Sequence, residues 1–177
     1  MLTPAKLEKV KRIQAFDDHV GRGQCSVRIH TDLWHPADAG VLYRQGYLSS
    51  LKERVVRVRI AGAKAALTVK GLTIGVRRSE FEYAIPLEDA ATMLDGLCER
   101  PLIEKTRHRE SHGGHMWEID VFHGDNDGLV VAEVELKSAD ERIELPPWVG
   151  EEVSNDPRYF NSNLIAHPFK TWTSVHA

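Results

Sequence analysis

Like charges recur two residues apart along several short segments of this 177-residue chain. Residues two apart on a β-strand point to the same face, so each segment would place its charges on one side. Like charges at this spacing repel unless a group of opposite sign lies between them. The basic members are Arg57, Arg59, Lys70, Arg78, Lys105 and Arg107, and the acidic members are Glu80, Glu82, Glu118, Asp120, Glu133 and Glu135.

Each kind of charge suits one kind of ligand. Arg offers forked donors and Lys offers a point charge to phosphate oxygens. Mg²⁺ prefers oxygen ligands and commonly takes one or two carboxylates with phosphate oxygens and water. For any one strand, a charged face in water is the simpler interpretation. Six segments with the same pattern favour a polyphosphate and a divalent metal bound together.

Short alternating segments separated by glycine-containing turns predict a sheet that positions these charges. Two helices are predicted after Pro86 and after Asp156-Pro157, and a third over the first 18 residues, where Leu7, Val10 and Ile13 have helical spacing. If the sheet closes with its charged faces inward, helices must cover the outer apolar faces. The predicted strands are residues 55–60, 65–70, 77–85, 102–109, 115–122 and 129–137, and the two later helices are residues 86–97 and 159–166.

Composition restricts the class of protein. A hydrophobic content of 42% with 28% charged residues is typical of one folded domain at this length. The net charge of −3 gives no general reason to expect a nucleic-acid partner. Cys25 and Cys98 have no metal-binding spacing, and neither a signal peptide nor a membrane span is expected. We therefore predict a cytoplasmic protein without nucleic-acid or membrane partners, and a homodimer is compatible with this prediction.

Eight sequence strings in one order resemble the CYTH superfamily of triphosphate tunnel metalloenzymes. The resemblance covers about residues 41–168. The strings are YRQGYL (43–48), VRVR (56–59), LTVKG (67–71), RSEFEYAIP (78–86), IEKTRH (103–108), WEIDVFHG (117–124), VAEVEL (131–136) and PPWVGEEVSNDPRYFNSNL (146–164). The family's first-strand Glu-x-Glu-x-Lys signature is missing, because the region before Trp34 reads GRGQCSVRIHTDLW. Residues 1–40 are thus expected to be a divergent N-terminus, with Val27 and Ile29 in a substitute strand, ahead of a tunnel region at 41–177.

The resemblance implies an α+β fold, with an antiparallel eight-stranded β tunnel and flanking helices. It implies that a triphosphate and Mg²⁺ or Mn²⁺ bind inside the tunnel. The implied triphosphate ligands are Tyr47, Arg57, Arg59, Lys70, Arg78, Lys105 and Arg107. The implied metal ligands are Glu118, Asp120, Glu133 and Glu135, and the implied catalytic residues are Glu80, Glu82 and Lys105.

Hydrolysis of inorganic triphosphate to pyrophosphate and phosphate is the leading functional hypothesis from this resemblance. Adenylate cyclase and thiamine triphosphatase are alternatives with the same triphosphate chemistry. A catalytically impaired protein that binds polyphosphate or nucleotide is an alternative of a different class, because the first-strand carboxylates are missing.

Overall fold

A computed structural model describes residues 23–51, 53–72, 79–138 and 141–172. Within these residues the strands form one antiparallel sheet, and a few short helices accompany it. The strands are β1 Gly23–Ile29, β2 Val41–Ser49, β3 Arg54–Ala61, β4 Lys64–Gly71, β5 Glu80–Ala84, β6 Ile103–His112, β7 His115–Phe122, β8 Val130–Leu136 and β9 Val149–Glu152, and the α-helices are α1 Leu87–Gly96 and α2 Asn163–Ala166. Hydrogen bonds join the strands in the order β5-β4-β3-β2-β6-β7-β8-β1-β9.

The predicted antiparallel sheet with flanking helices is confirmed, with nine strands among the described residues where eight were expected. All six predicted strands are present with small shifts at their ends, and Val27 and Ile29 lie in β1 as expected. β2 and β9 were not predicted as separate strands. The predicted N-terminal helix, Arg78 and the start of the strand at 77–85 lie outside the described residues.

The predicted helix at 159–166 is shorter than expected. A 3₁₀ turn spans Pro157–Tyr159, and α2 begins only at Asn163. The Asn163 side-chain amide donates to the carbonyl oxygen of Pro157 at 2.7 Å. Such local side-chain bonds compete with helix formation, which explains the interruption.

The described residues fall into two compact units. The first comprises residues 23–39, 108–120 and 130–156, and the second comprises residues 40–107, 121–129 and 157–172, apart from the undescribed positions. The expectation of a single domain divided near residue 40 stays a prediction. No helix in the described ranges has both the length and the apolar character needed to cross a membrane.

In the second unit, α1 packs on the apolar faces of β2, β3 and β4. Ala90 and Leu94, one helical turn apart, are fully buried and contact a core that includes Val58. Burial of a side chain the size of Leu94 contributes about 1.5–3 kcal/mol. Gly46 permits the close approach of Cys98, which follows α1. A Cβ at Gly46 would lie only 2.7 Å from the Cβ of Cys98.

In the first unit, alternation along β1 separates a core face from a polar face. Cys25, Val27 and Ile29 are buried, which places Gln24 and Ser26 on the opposite side of the strand. Burial raises the pKa of the Cys25 thiol to about 12, so the thiol stays protonated and acts as a small apolar side chain.

The Glu110 carboxylate links two tryptophans within the first unit. One carboxylate oxygen accepts from Trp34 Nε1 at 3.2 Å, and the other accepts from Trp148 Nε1 at 3.1 Å. Trp148 also packs edge-on against the fully buried Trp117, with ring centroids 5.3 Å apart. The carboxylate therefore satisfies two buried indole donors at once.

Replacement of Glu110 by Ala should lower the free energy of unfolding by about 1–3 kcal/mol, because it leaves both indole donors without an acceptor. Urea denaturation would measure the change. Glu151→Ala, at an exposed position of β9, is the control. Its free energy of unfolding should stay within about 0.5 kcal/mol of wild type. Equal effects of the two variants would show that the link contributes nothing to stability.

Candidate functional site

Cross-strand register gathers the polar side chains of β2, β3, β4 and β5 on one face of the second unit, here called the basic face. The face also receives Lys105 and Arg107 from β6. Its rows of directly opposite residues are Tyr47, Arg57, Thr68 and Glu82, then Gln45, Arg59, Ala66 and Ala84, then Lys70 and Glu80.

Arg57 lies in the first of these rows, with 14% of its side chain exposed. Its Nη2 donates to Thr68 Oγ1 at 3.0 Å, and it lies 3.6 Å from Glu82 Oε2. Its Nε is buried without a hydrogen-bond partner. Desolvation and the neighbouring charge of Arg59 lower the pKa of Arg57. This buried cation keeps a donor that an anion would satisfy.

Two carboxylates balance part of the basic face. Thr68 is fully buried, and its hydroxyl donates to Glu82 Oε2 at 2.9 Å while it accepts from Arg57. Lys70 Nζ lies 3.0 Å from Glu80 Oε1. Glu80 and Glu82 are thus paired with cations on this face, and their catalytic role stays a prediction.

The sequence analysis did not predict two residues of the basic face. The Tyr43 ring lies 5.8 Å from the Arg59 guanidinium and 5.4 Å from that of Arg107. Gln45 is 1% exposed, and its side-chain oxygen accepts from Arg59 Nε at 3.3 Å. Their alternation with Tyr47 in YRQGYL is the signal that places all three on one side of β2.

Among the described cations that the resemblance implies, Lys105 is the most buried, with 3% exposure. Its ammonium lies 5.3 Å from the centroid of the Phe122 ring. A cation over an aromatic face keeps some stabilisation when water is removed. Lys105 is therefore positioned on the basic face by an apolar neighbour.

Three carboxylates line a cavity of about 360 Å³ in the first unit, here called the acidic cavity. They belong to Glu118, Glu133 and Glu135, and Gln24 and Arg109 line the same cavity. Asp120 follows Glu118 on the same face of β7 and is 2% exposed. Carboxylate oxygens are the ligand type that a hard divalent cation takes, although no three His, Cys, Asp or Glu side chains of the described residues converge closely enough to hold one.

Arg109 and two residues of β1 lie beside these carboxylates. Arg109 Nε and Nη2 donate to the same Glu118 oxygen at 3.0 and 2.7 Å. In the β1–β8 ladder, Gln24 is directly opposite Glu135, and Ser26 is opposite Glu133. Sequence reasoning missed Gln24, Ser26 and Arg109, although the alternation of Gln24 and Ser26 with buried Cys25 and Val27 marks their common face.

The implied phosphate ligands that the structure describes belong to the second unit, and the implied metal ligands belong to the first unit. Arg78 lies outside the described residues. The roles of all these residues stay predictions. The basic face holds Tyr47, Arg57, Arg59, Lys70, Lys105 and Arg107 with Glu80 and Glu82, and the first unit holds Glu118, Asp120, Glu133 and Glu135.

A family model described as CYTH domain matches residues 24–168. The chain belongs to the CYTH family. The match begins at Gln24, so β1 is part of the CYTH region even though it lacks the acidic signature.

Two relatives and one solved structure similar to this chain share one name. An inorganic triphosphatase of Acetivibrio thermocellus is 47% identical over 141 residues, which cover 80% of this chain and 90% of the relative. An inorganic triphosphatase of Nitrosomonas europaea is 37% identical over 125 residues, or 68% of this chain and 82% of the relative. A crystal structure of an inorganic triphosphatase has a TM-score of 0.64 and 29% identity, and the match covers 81% of this chain and 93% of that one.

Replacement of Thr68 by Val in this CYTH chain should lower the free energy of unfolding by about 1–3 kcal/mol. The change keeps the side-chain shape but removes the group that joins Arg57 to Glu82. Thr68→Ser keeps the hydroxyl and is the matched control. Urea denaturation compares the two, and wild-type stability of Thr68→Val would show that the hydroxyl contributes nothing to stability.

Proposed function

We propose that this CYTH protein hydrolyses inorganic triphosphate to pyrophosphate and phosphate with a divalent metal. The observation that carries the proposal is Arg57, a mostly buried cation with an unmatched Nε donor on a face that gathers further Arg and Lys side chains. A chain of phosphates supplies several negative oxygens at once, and this satisfies such a face better than a single small anion does. The names of the two curated relatives support the same substrate.

In the proposed reaction, water attacks the terminal phosphorus and the bond to the bridging oxygen breaks. The bridging oxygen leaves with pyrophosphate, and its growing negative charge requires fixed cations nearby. Arg57, Arg59 and Lys105 are proposed to supply those cations. Glu82, through Thr68, would hold the Arg57 guanidinium in place, and Glu80 would do the same for Lys70.

The acidic cavity is proposed to hold the metal, which we expect to be Mg²⁺ or Mn²⁺. Glu133 and Glu135 are the main proposed ligands, and Glu118, which lines the same cavity, is bound by Arg109. A bound divalent ion would stabilise negative charge on phosphate oxygens and help orient water. Asp120 is proposed to position these ligands because it is buried beside Glu118 on β7.

The direct test offers tripolyphosphate, ATP and thiamine triphosphate to the purified protein with Mg²⁺ or Mn²⁺. We expect phosphate release from tripolyphosphate, and its loss when a chelator removes the metal. Binding of tripolyphosphate without turnover would contradict the proposal and support the non-catalytic binder. Formation of cyclic AMP from ATP would support the cyclase instead.

Replacement of Arg57 by Met should lower kcat/KM for tripolyphosphate by about 10-fold to 100-fold, because charged hydrogen bonds contribute about 1.5–3 kcal/mol each. Steady-state kinetics at saturating metal would measure the loss. Arg142→Met on an exposed loop is the control and should leave kcat/KM unchanged. Wild-type kinetics in Arg57→Met would contradict a phosphate-binding role for this face.

One feature favours a second candidate function, hydrolysis of an organic triphosphate such as a nucleotide. A cavity of about 530 Å³ adjoins Arg59 and Tyr43 and is lined largely by small or apolar side chains, including Ala66, Ala84 and Ile85. Its volume is in the range of small-molecule pockets. An inorganic triphosphate has no group to fill it, whereas a base and ribose would.

Replacement of Ala66 by Leu should therefore separate the two substrates. The larger side chain should reduce kcat/KM for ATP at least about 10-fold by obstructing the cavity, while kcat/KM for tripolyphosphate stays within about twofold. Kinetics with both substrates would measure this, with Ala166→Leu at an exposed site as control. Equal losses for both substrates would show that the cavity does not receive an organic group.

A further inference from the structure

Two side chains beside the carboxylates of the acidic cavity carry no charge. Gln24 and Ser26 are neutral, and they stand directly opposite Glu135 and Glu133 in the β1–β8 ladder. Directly opposite residues in an antiparallel pair have Cβ atoms about 4.5–5.5 Å apart. Both neutral side chains therefore occupy positions from which a carboxylate could join the same ion.

Arg109 lowers the available charge further. Two of its nitrogens bind one oxygen of Glu118, at 3.0 and 2.7 Å. A divalent cation that uses this oxygen must compete with the guanidinium. Within the described residues, no three His, Cys, Asp or Glu side chains converge closely enough to hold a metal ion.

We propose that Gln24, Ser26 and Arg109 keep the acidic cavity weak in divalent-metal binding, because two of them are neutral and the third binds a Glu118 oxygen. Affinity for hard cations rises with the number of charged oxygen ligands, and neutral oxygens contribute less. Gln24 and Ser26 thus limit the negative charge available to a cation in the acidic cavity, and this inference rests on the proposed function.

Charge addition at β1 tests the proposal without an activity readout. Electron paramagnetic resonance of Mn²⁺ measures the free ion during titration of the protein alone. We expect millimolar dissociation constants for wild type, and at least about tenfold tighter binding for Gln24→Glu with Ser26→Glu.

Two controls make the result specific. Ser138→Glu with Asn155→Glu adds the same charge at exposed positions of the first unit that do not line the cavity, and should leave Mn²⁺ affinity near wild type. Arg109→Gln removes the guanidinium from the Glu118 oxygen without adding a carboxylate on β1, and should tighten binding on its own. It keeps the test valid if the double variant does not fold, which circular dichroism would reveal.

Tight Mn²⁺ binding to wild type without triphosphate would overturn the proposal, as would unchanged affinity in both the β1 variant and Arg109→Gln. Failure of the proposed function would look different. In that case the protein would not hydrolyse tripolyphosphate, while the difference in Mn²⁺ affinity between the variants would persist.

Discussion

Repulsion among cations on one sheet face is the constraint on which the second unit depends. Arg57 and Arg59 share a face of β3, and desolvation makes their proximity costly. The protein offsets part of that cost with Glu80 and Glu82, which lie on the edge of the same rows. The compensation is incomplete, because Arg57 Nε has no acceptor. An anion would satisfy this donor.

Neutral side chains hold the charged groups of the basic face in position. Thr68 joins Arg57 to Glu82, and Gln45 accepts from Arg59, so buried guanidinium donors meet oxygen atoms instead of apolar surface. Tyr43 lies against two guanidinium groups at once. Preorganised donors of this kind need little rearrangement when a ligand arrives, which is the property that electrostatic catalysis requires.

Strand alternation lets one segment serve the core and the site. In β1, Cys25 and Val27 are buried while Gln24 and Ser26 face the carboxylates of β8. The family resemblance expects acidic residues on that face, and this chain has neutral ones without any loss of the strand itself. Core packing on one side therefore preserves the strand, while charge on the other side is free to change.

The sequence by itself determined the positions of β3 to β8, the helix at Leu87–Gly96 and the faces that charged residues share, because period-two alternation is a local property. It also identified the family through ordered motifs. It did not determine that Lys70 pairs with Glu80, that Gln45 is buried, or that Gln24 is opposite Glu135. Only the tertiary structure decided these, since cross-strand register and desolvation depend on residues far apart in the chain.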